Sequence, residues 1–397
     1  MNDGSSSSIA LRGLAPLLAI TPGLMAVSPA TVGVFVPLYA LVWLGFQPQR
    51  SSWWQVARSP FSLLIVAVVA WGALSSAWAI DESLALEKSL KFGLVCLPPL
   101  WAVQLLRLRG IDTAGAARLF LWGMIAGAAL LSWQTFGDVL LRDLLLGRET
   151  QNAAVKTNVP GAALSILAWA LPLARVHLAG ALRGLSLLVI AIIGICTVAG
   201  DGLAPVLAFL CGGLCFLFAR IAPVACGTLI LVGVMTAHIA APRLQSFEFS
   251  RGLEASIQHR MDIWTLAGEL SAQRPWGGFG FSNSGVIPTQ EGTMALTGLP
   301  REFPLYPHNI LMQVQLELGI PGVLLFYAFL ALLIWHALKL PPDARSAGLA
   351  LIASALAIWL VGYPLWRSTW VCWLLYCAVG LASSGDRRGH LQQRNTG

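Results

Sequence analysis

Long uncharged apolar runs recur along the whole chain, separated by short polar breaks. Each is long enough to cross a hydrocarbon layer that requires roughly 20 residues of helix. Backbone groups in hydrocarbon must find partners within their own segment, so such runs imply helices rather than strands. The pattern predicts helices near 14–28, 31–46, 61–79, 86–106, 116–136, 159–177, 184–200, 202–219, 221–240, 309–338, 346–364 and 366–383. The fold class is therefore an all-α polytopic membrane protein of about twelve spans. Gly200-Asp201-Gly202 divides two helices that hydropathy alone would fuse, and Pro223 restarts the chain after Arg220. The stretch from Leu14 has the look of a signal peptide, with small residues near Ala26 to Ala30, but it lacks a basic start and is read as the first span.

Composition agrees with the pattern. Hydrophobic residues make up 57% of the 397 and charged residues only 11%, against about 25% charged in ordinary soluble domains. The net charge of +7 reflects Arg and Lys in the short loops of one side, not nucleic-acid binding. Arg50, Arg58, Arg107, Arg109, Arg118, Arg175, Arg183, Arg220, Lys339 and Arg345 fall on that side, and the excess predicts that it is cytoplasmic, with both termini. The seven cysteines sit mostly inside apolar runs without metal spacing, so no metal or disulfide role is read from them.

One connection departs from this scheme. Residues 241–308 form a long polar segment on the outer side, neither low in complexity nor strongly charged. Connections of that length are functional or disordered, and this composition predicts folding. The chain thus divides into spans over 1–240, an outer loop over 241–308, spans over 309–384 and a tail over 385–397. Within the loop, Ser250 to Gln273 reads as a helix, with Leu253, Ile257, Met261 and Trp264 at helical spacing and Pro275 after its end. His259, Arg260 and Asp262 lie among them, and Arg260 shares a face with Trp264. An amphipathic helix lying at the interface, its Arg touching headgroups, reads equally well. The glycines of Pro275-Trp-Gly-Gly-Phe-Gly-Phe281 allow tight turns, and nothing around them suits a nucleotide fingerprint. His308 stands at the outer start of the next span, after Pro307. Lys88 and Lys91, beside Asp81, Glu82 and Glu87, are explained by snorkelling and local pairing, though they also suit an entrance for an anionic lipid.

Arg260-Met-Asp-Ile-Trp264, Pro275 to Gly280, Pro307-His308-Asn309 and Glu317-Leu-Gly-Ile-Pro-Gly322 resemble the signature of the O-antigen ligase and polymerase superfamily. The resemblance centres on residues 250–330. It implies a membrane-embedded GT-C-like glycosyltransferase of the bacterial inner membrane with one large periplasmic loop, needing no cofactor or metal. The donor would be a glycan on undecaprenyl diphosphate, and the acceptor lipid A-core for a ligase or a growing glycan for a polymerase. A guanidinium fork is suited to a diphosphate leaving group, and an imidazole to the acceptor's proton. The resemblance so assigns Arg260 to the diphosphate and His308 to the base, with Arg274, Arg301, Asn309 and Lys156 as further substrate contacts. Relatives place a Ser-Arg pair at the outer start of a middle span, where this chain has Ala199-Gly-Asp201-Gly-Leu. Arg148 or Lys156 are the available substitutes, and both read as well as solvated loop charges. A transporter or flippase is disfavoured because charges cluster at span ends and the two halves are unlike. A transferase that glycosylates protein stays open.

Overall fold

The computed structural model describes residues 17–47, 50–109, 113–137, 153–200, 202–289, 291–300, 303–364 and 366. Fourteen α-helices are used below. They are α1 (Leu17–Val27), α2 (Pro29–Gly45), α3 (Arg50–Ala57), α4 (Pro60–Leu74), α5 (Glu82–Arg109), α6 (Thr113–Phe136) and α7 (Ala153–Ala168). There follow α8 (Leu171–Arg175), α9 (Ala181–Ala199), α10 (Leu203–Ile221), α11 (Pro223–Ala240), α12 (Ala255–Gln273), α13 (Ile310–Leu338) and α14 (Pro342–Val361). Among the described residues there is no strand beyond a single bridge between Thr293 and Pro300.

Nine helical stretches among these residues are long and apolar enough to cross a membrane, and α1 and α2 are shorter apolar helices. They correspond to the first eleven of the expected spans; the twelfth, 366–383, lies almost wholly outside the described residues. The protein is an all-α polytopic membrane protein. Local chemistry sets the breaks. Pro60 and Pro223 occupy first turns, where a missing N–H costs nothing, and Ser59 Oγ accepts from the Ser62 amide at 3.3 Å. The expected span at 159–177 divides, with a turn at Trp169–Ala170 separating α7 from α8.

Small residues allow close packing in the bundle. α10 buries Ala204, Ala208, Gly212 and Ala219 and packs along α14, which buries Ala344, Ala347, Gly348, Ala350 and Ala355. Van der Waals contact of this kind replaces the hydrophobic drive that is missing between helices in lipid. On the opposite face of α10, Leu210, Leu214 and Leu217 are exposed, as a hydrocarbon surround requires.

The segment after α11 folds against the bundle. Two 3-10 turns, Ala241–Ser246 and Glu248–Gly252, lead into α12. The helix therefore starts at Ala255, five residues later than expected. Ser250 Oγ bonds the Gln245 carbonyl, and the Gln258 side chain takes the Ser250 and Arg251 carbonyls, holding the tighter turn outside the helix. α12 is not a lone interfacial helix: Met261, Ile263, Trp264, Leu266, Ala267 and Leu270 are buried. Met261, Trp264, Leu266, Ala267 and Leu270 form small cores with Phe279, Ile287 and Met294 of the loop and Met312 and Leu316 of α13. Asp262, 2% exposed, accepts from the amides of Leu296 and Thr297, from Thr297 Oγ1 and from Gln245 Nε2. That carboxylate ties the 291–300 turn to α12.

Candidate functional site

α13 is broken one third of the way along. Gly319 has φ +64°, ψ −162°, which releases backbone groups that a helix would have paired and which hydrocarbon would leave costly. The glycine-rich segment takes them up. Phe279 and Gly280 amides donate to the Leu316 and Glu317 carbonyls, both at 2.9 Å, and the Ile320 amide donates to the Pro275 carbonyl at 2.8 Å. Trp71 Nε1 donates to the Leu318 carbonyl at 2.9 Å. The chains approach so closely that a Cβ on Gly278 would stand 2.4 Å from the Glu317 carbonyl carbon, and one on Gly319 2.4 Å from the Trp276 oxygen. The spacing of these glycines is thus explained by backbone-to-backbone packing at a helix break.

Glu317 stands at that break, 1% exposed. Its oxygens accept from the Ser282 amide at 2.7 Å, Ser284 Oγ at 2.5 Å, Gln313 Nε2 at 3.1 Å and the Trp366 indole N–H. Four donors on one carboxylate make it a fixed joint between loop and span. A carboxylate inside a broken span runs against the expectation that charge keeps to span ends. The loop also joins the α4–α5 turn: Ile80 bonds Phe279, the Asp81 amide donates to Asn283 Oδ1 at 2.7 Å, and Trp78 Nε1 donates to the Gly277 carbonyl. The Asp81–Glu82 turn and the 241–308 segment therefore share one side of the protein.

His308 sits where three elements meet. Its φ is +54°, a strained value for a residue with a side chain, and its neighbours hold it there. Trp264 Nε1 on α12 donates to the Pro307 carbonyl at 2.9 Å, and the imidazole lies 4.5 Å from the Tyr306 ring. Nδ1 is 2.9 Å from the Gly362 carbonyl past the end of α14. A carbonyl only accepts, so Nδ1 carries the proton and Nε2 carries the lone pair. Burial pushes the histidine below its ordinary pKa, the Gly362 bond opposes that, and the charges of Arg260 and His259 push it further down. The neutral imidazole is thereby favoured at pH 7. Arg260 comes close enough for its charge to act on His308, and among the described residues no carboxylate pairs with it. His259, its neighbour in sequence, has a buried Nδ1 without a partner.

The other expected contacts divide. Asn309 is buried, and its Oδ1 caps α13 by accepting from the Leu311 and Met312 amides at 3.0 and 3.3 Å. Arg274 donates to the Trp78 carbonyl and lies 4.9 Å over the Phe279 ring. Both side chains are engaged in holding the scaffold. Lys156 lies on α7, its side chain outside the described residues, as are Arg148, Asp201 and Arg301. Lys88 and Lys91 of α5, which snorkelling and local pairing also explain, line a cavity of about 260 Å³ together with Ser282, Tyr306, Gln313, Glu317 and Trp366. The only sequence signal for it is the spacing of three between the two lysines.

Comparison with known proteins covers the same region. Residues 153–327 match a family model described as O-antigen ligase. The chain is 29% identical over 194 residues to "Putative polysaccharide ligase RP358" of Rickettsia prowazekii, covering 44% of this chain and 46% of that protein. It is 28% identical over 185 residues to a "Putative polysaccharide ligase" of Rickettsia felis, covering 43% and 44%. The match spans less than half the length of these curated relatives. The family stretch takes in Arg260, His308, Glu317 and Gly319; Lys88 and Lys91 fall outside it.

Proposed function

We propose, from the premise that this chain is O-antigen ligase-like, that it is a glycosyltransferase moving a glycan from undecaprenyl diphosphate to the sugar core of lipid A at the periplasmic face of the bacterial inner membrane. The 241–308 segment lies on that face in this reading, with both termini in the cytoplasm. His308 Nε2 takes the proton from the acceptor hydroxyl. The acceptor oxygen then bonds to the anomeric carbon as the carbon–oxygen bond to phosphate breaks, and the lipid diphosphate leaves with the electron pair. Arg260 faces the negative charge that grows on the leaving group, where a preorganised guanidinium is most effective.

The observation that carries this reading is the His308 arrangement. One ring nitrogen is fixed by the Gly362 carbonyl, the other has no partner among the described residues, and a guanidinium without an ion pair among them acts on the same ring. A repeat-unit polymerase would use the same groups, with a growing glycan as acceptor.

A deletion strain separates the two readings. Loss of a ligase leaves unextended lipid A-core on a gel while polymer stays on its carrier; loss of a polymerase leaves core capped with one repeat. Complementation with His308→Ala should reproduce the deletion pattern at normal protein abundance. General bases contribute about 10²–10⁴-fold, so wild-type ladders in that variant would remove the assignment.

A further inference from the structure

The break at Gly319 leaves α13 in two parts, 310–318 and 320–338, and one imidazole on α11 bonds to both. His238 Nε2 lies 2.7 Å from Gln315 Oε1 on the first part. Its Nδ1 lies 3.1 Å from the Tyr327 hydroxyl on the second. An amide oxygen only accepts, so Nε2 carries the proton, and the Tyr327 O–H donates to Nδ1. Gln315 and Tyr327 are twelve positions apart, about 18 Å along an unbroken helix, yet a single ring meets both.

We propose that His238 is a positioning residue for His308, the second of two ties that hold the arm carrying Arg260 in register with the arm carrying His308. The proposal rests on the reading of His308 as the base of a glycan transferase and names what sets that base in place.

Each arm is continuous from His238 to the site. α11 ends at Ala240, two residues past His238, and runs directly into the 3-10 turn Ala241–Ser246. That turn is seated on α12. Thr265 Oγ1 donates to the Pro242 carbonyl at 3.2 Å, Gln245 Nε2 donates to Asp262 at 3.0 Å, and a Cβ on Gly268 would stand 2.6 Å from the Pro242 side chain. α12 carries Arg260. On the other arm, Gln315 lies in the part of α13 that Asn309 caps, directly after His308. Trp264 joins the arms at the Pro307 carbonyl, before α13 begins; His238 joins them again at Gln315, beyond its first turn. A single bond between two rigid bodies leaves them free to swing about it, and a second bond at a distance removes the swing. Gly319 is the pivot on which the first part of α13 would otherwise tilt. Van der Waals packing suffices to hold two spans together in lipid, and a histidine among spans is costly unless its polar atoms are met. An imidazole met on both sides of a helix break therefore specifies an arrangement more than it adds attraction.

The test reads His308 directly, by the pH dependence of its modification with diethyl pyrocarbonate in the purified full chain, located by peptide mass spectrometry. The reagent takes the lone pair of a neutral imidazole, so the midpoint of the reaction reports on His308 without any transfer. Burial first, and then the charges of Arg260 and His259, hold the His308 pKa below its ordinary value against the Gly362 bond. An arm that tilts away gives up part of both. In His238→Phe and in Gln315→Met the midpoint should therefore move to higher pH than in wild type. Transfer should fall about tenfold or more, as misplacement of a reacting group does, with the loss in kcat and the donor KM within about twofold of wild type. Tyr327→Phe, which leaves the Gln315 bond in place, should show a smaller shift. Val234→Ala trims a buried α11 side chain outside the tie; it should lower heat stability and leave the midpoint where it is. A midpoint unmoved in Gln315→Met, or moved as far in Val234→Ala, overturns the proposal; Gln315→Met decides if His238→Phe does not fold. If transfer needs His308 but the midpoint ignores His238 and Gln315, only the tie fails. If the midpoint moves as stated but transfer survives His308→Ala, the tie stands and only the base assignment fails.

Discussion

Trp264 on α12 holds the carbonyl of Pro307 at 2.9 Å, and through that bond the helix bearing Arg260 is fastened to the residue before His308. The two candidate groups are 48 positions apart in sequence, and their registration depends on this indole. Trp264→Phe keeps the ring in its apolar site and frees the carbonyl, a loss of about 1 kcal/mol. Misplacement of a catalytic group has a larger effect on rate than on stability, on the order of 10²-fold for 1 Å. Transfer measured in membranes should therefore fall at least tenfold with little change in melting temperature; a wild-type rate would show that the bond positions nothing.

Glu317 tests the helix break. Glu317→Gln keeps the shape but turns an acceptor oxygen into an NH₂ that faces donors. Each buried donor left without an acceptor costs about 1–3 kcal/mol. The variant should melt several degrees lower, read by the loss of monodisperse protein after heating in detergent. Equal melting would mean that the loop is held by its backbone bonds alone.

Two glycines give a controlled comparison. Gly319→Ala places a Cβ 2.4 Å from the Trp276 oxygen at a positive φ, and strain of this kind costs about 1–3 kcal/mol. Gly233→Ala, in α11 with nothing within 4 Å of its Cβ, should be neutral or stabilising by up to about 1 kcal/mol. The same heating assay should separate them in that order.

The spans were legible because hydrocarbon leaves the chain one solution, and the Pro and Gly breaks between them are local chemistry. The helix carrying Arg260 was legible for the same reason, although Ser250 and Gln258 side chains moved its start to Ala255. What escaped were relationships between distant segments. Gly278 and Gly319 look like independent turn residues until their backbones are seen to meet, and nothing in the sequence reports that Asn309 Oδ1 caps α13. Lys88 and Lys91 look like snorkelling charges because nothing in α5 reports that Glu317 and Tyr306 close the same cavity. The roles given to His308 and Arg260 rest on motif resemblance; periodicity alone marks neither.

The account depends most on Arg260 and His308 sharing one electrostatic site. Burial is the main cause of the low histidine pKa, and the Arg260 charge adds to it. A depressed pKa means that the neutral, base-competent imidazole persists as pH falls, so the acid limb of the transfer rate should lie below the ordinary histidine range. Removing the guanidinium charge raises the pKa, and protonation then sets in at higher pH. The decisive measurement is the pH–rate profile of purified wild type and Arg260→Gln with saturating lipid-linked donor. The predicted result is a lower plateau in Arg260→Gln with its acid limb moved to higher pH. An acid limb at the same pH in both proteins would contradict the shared site.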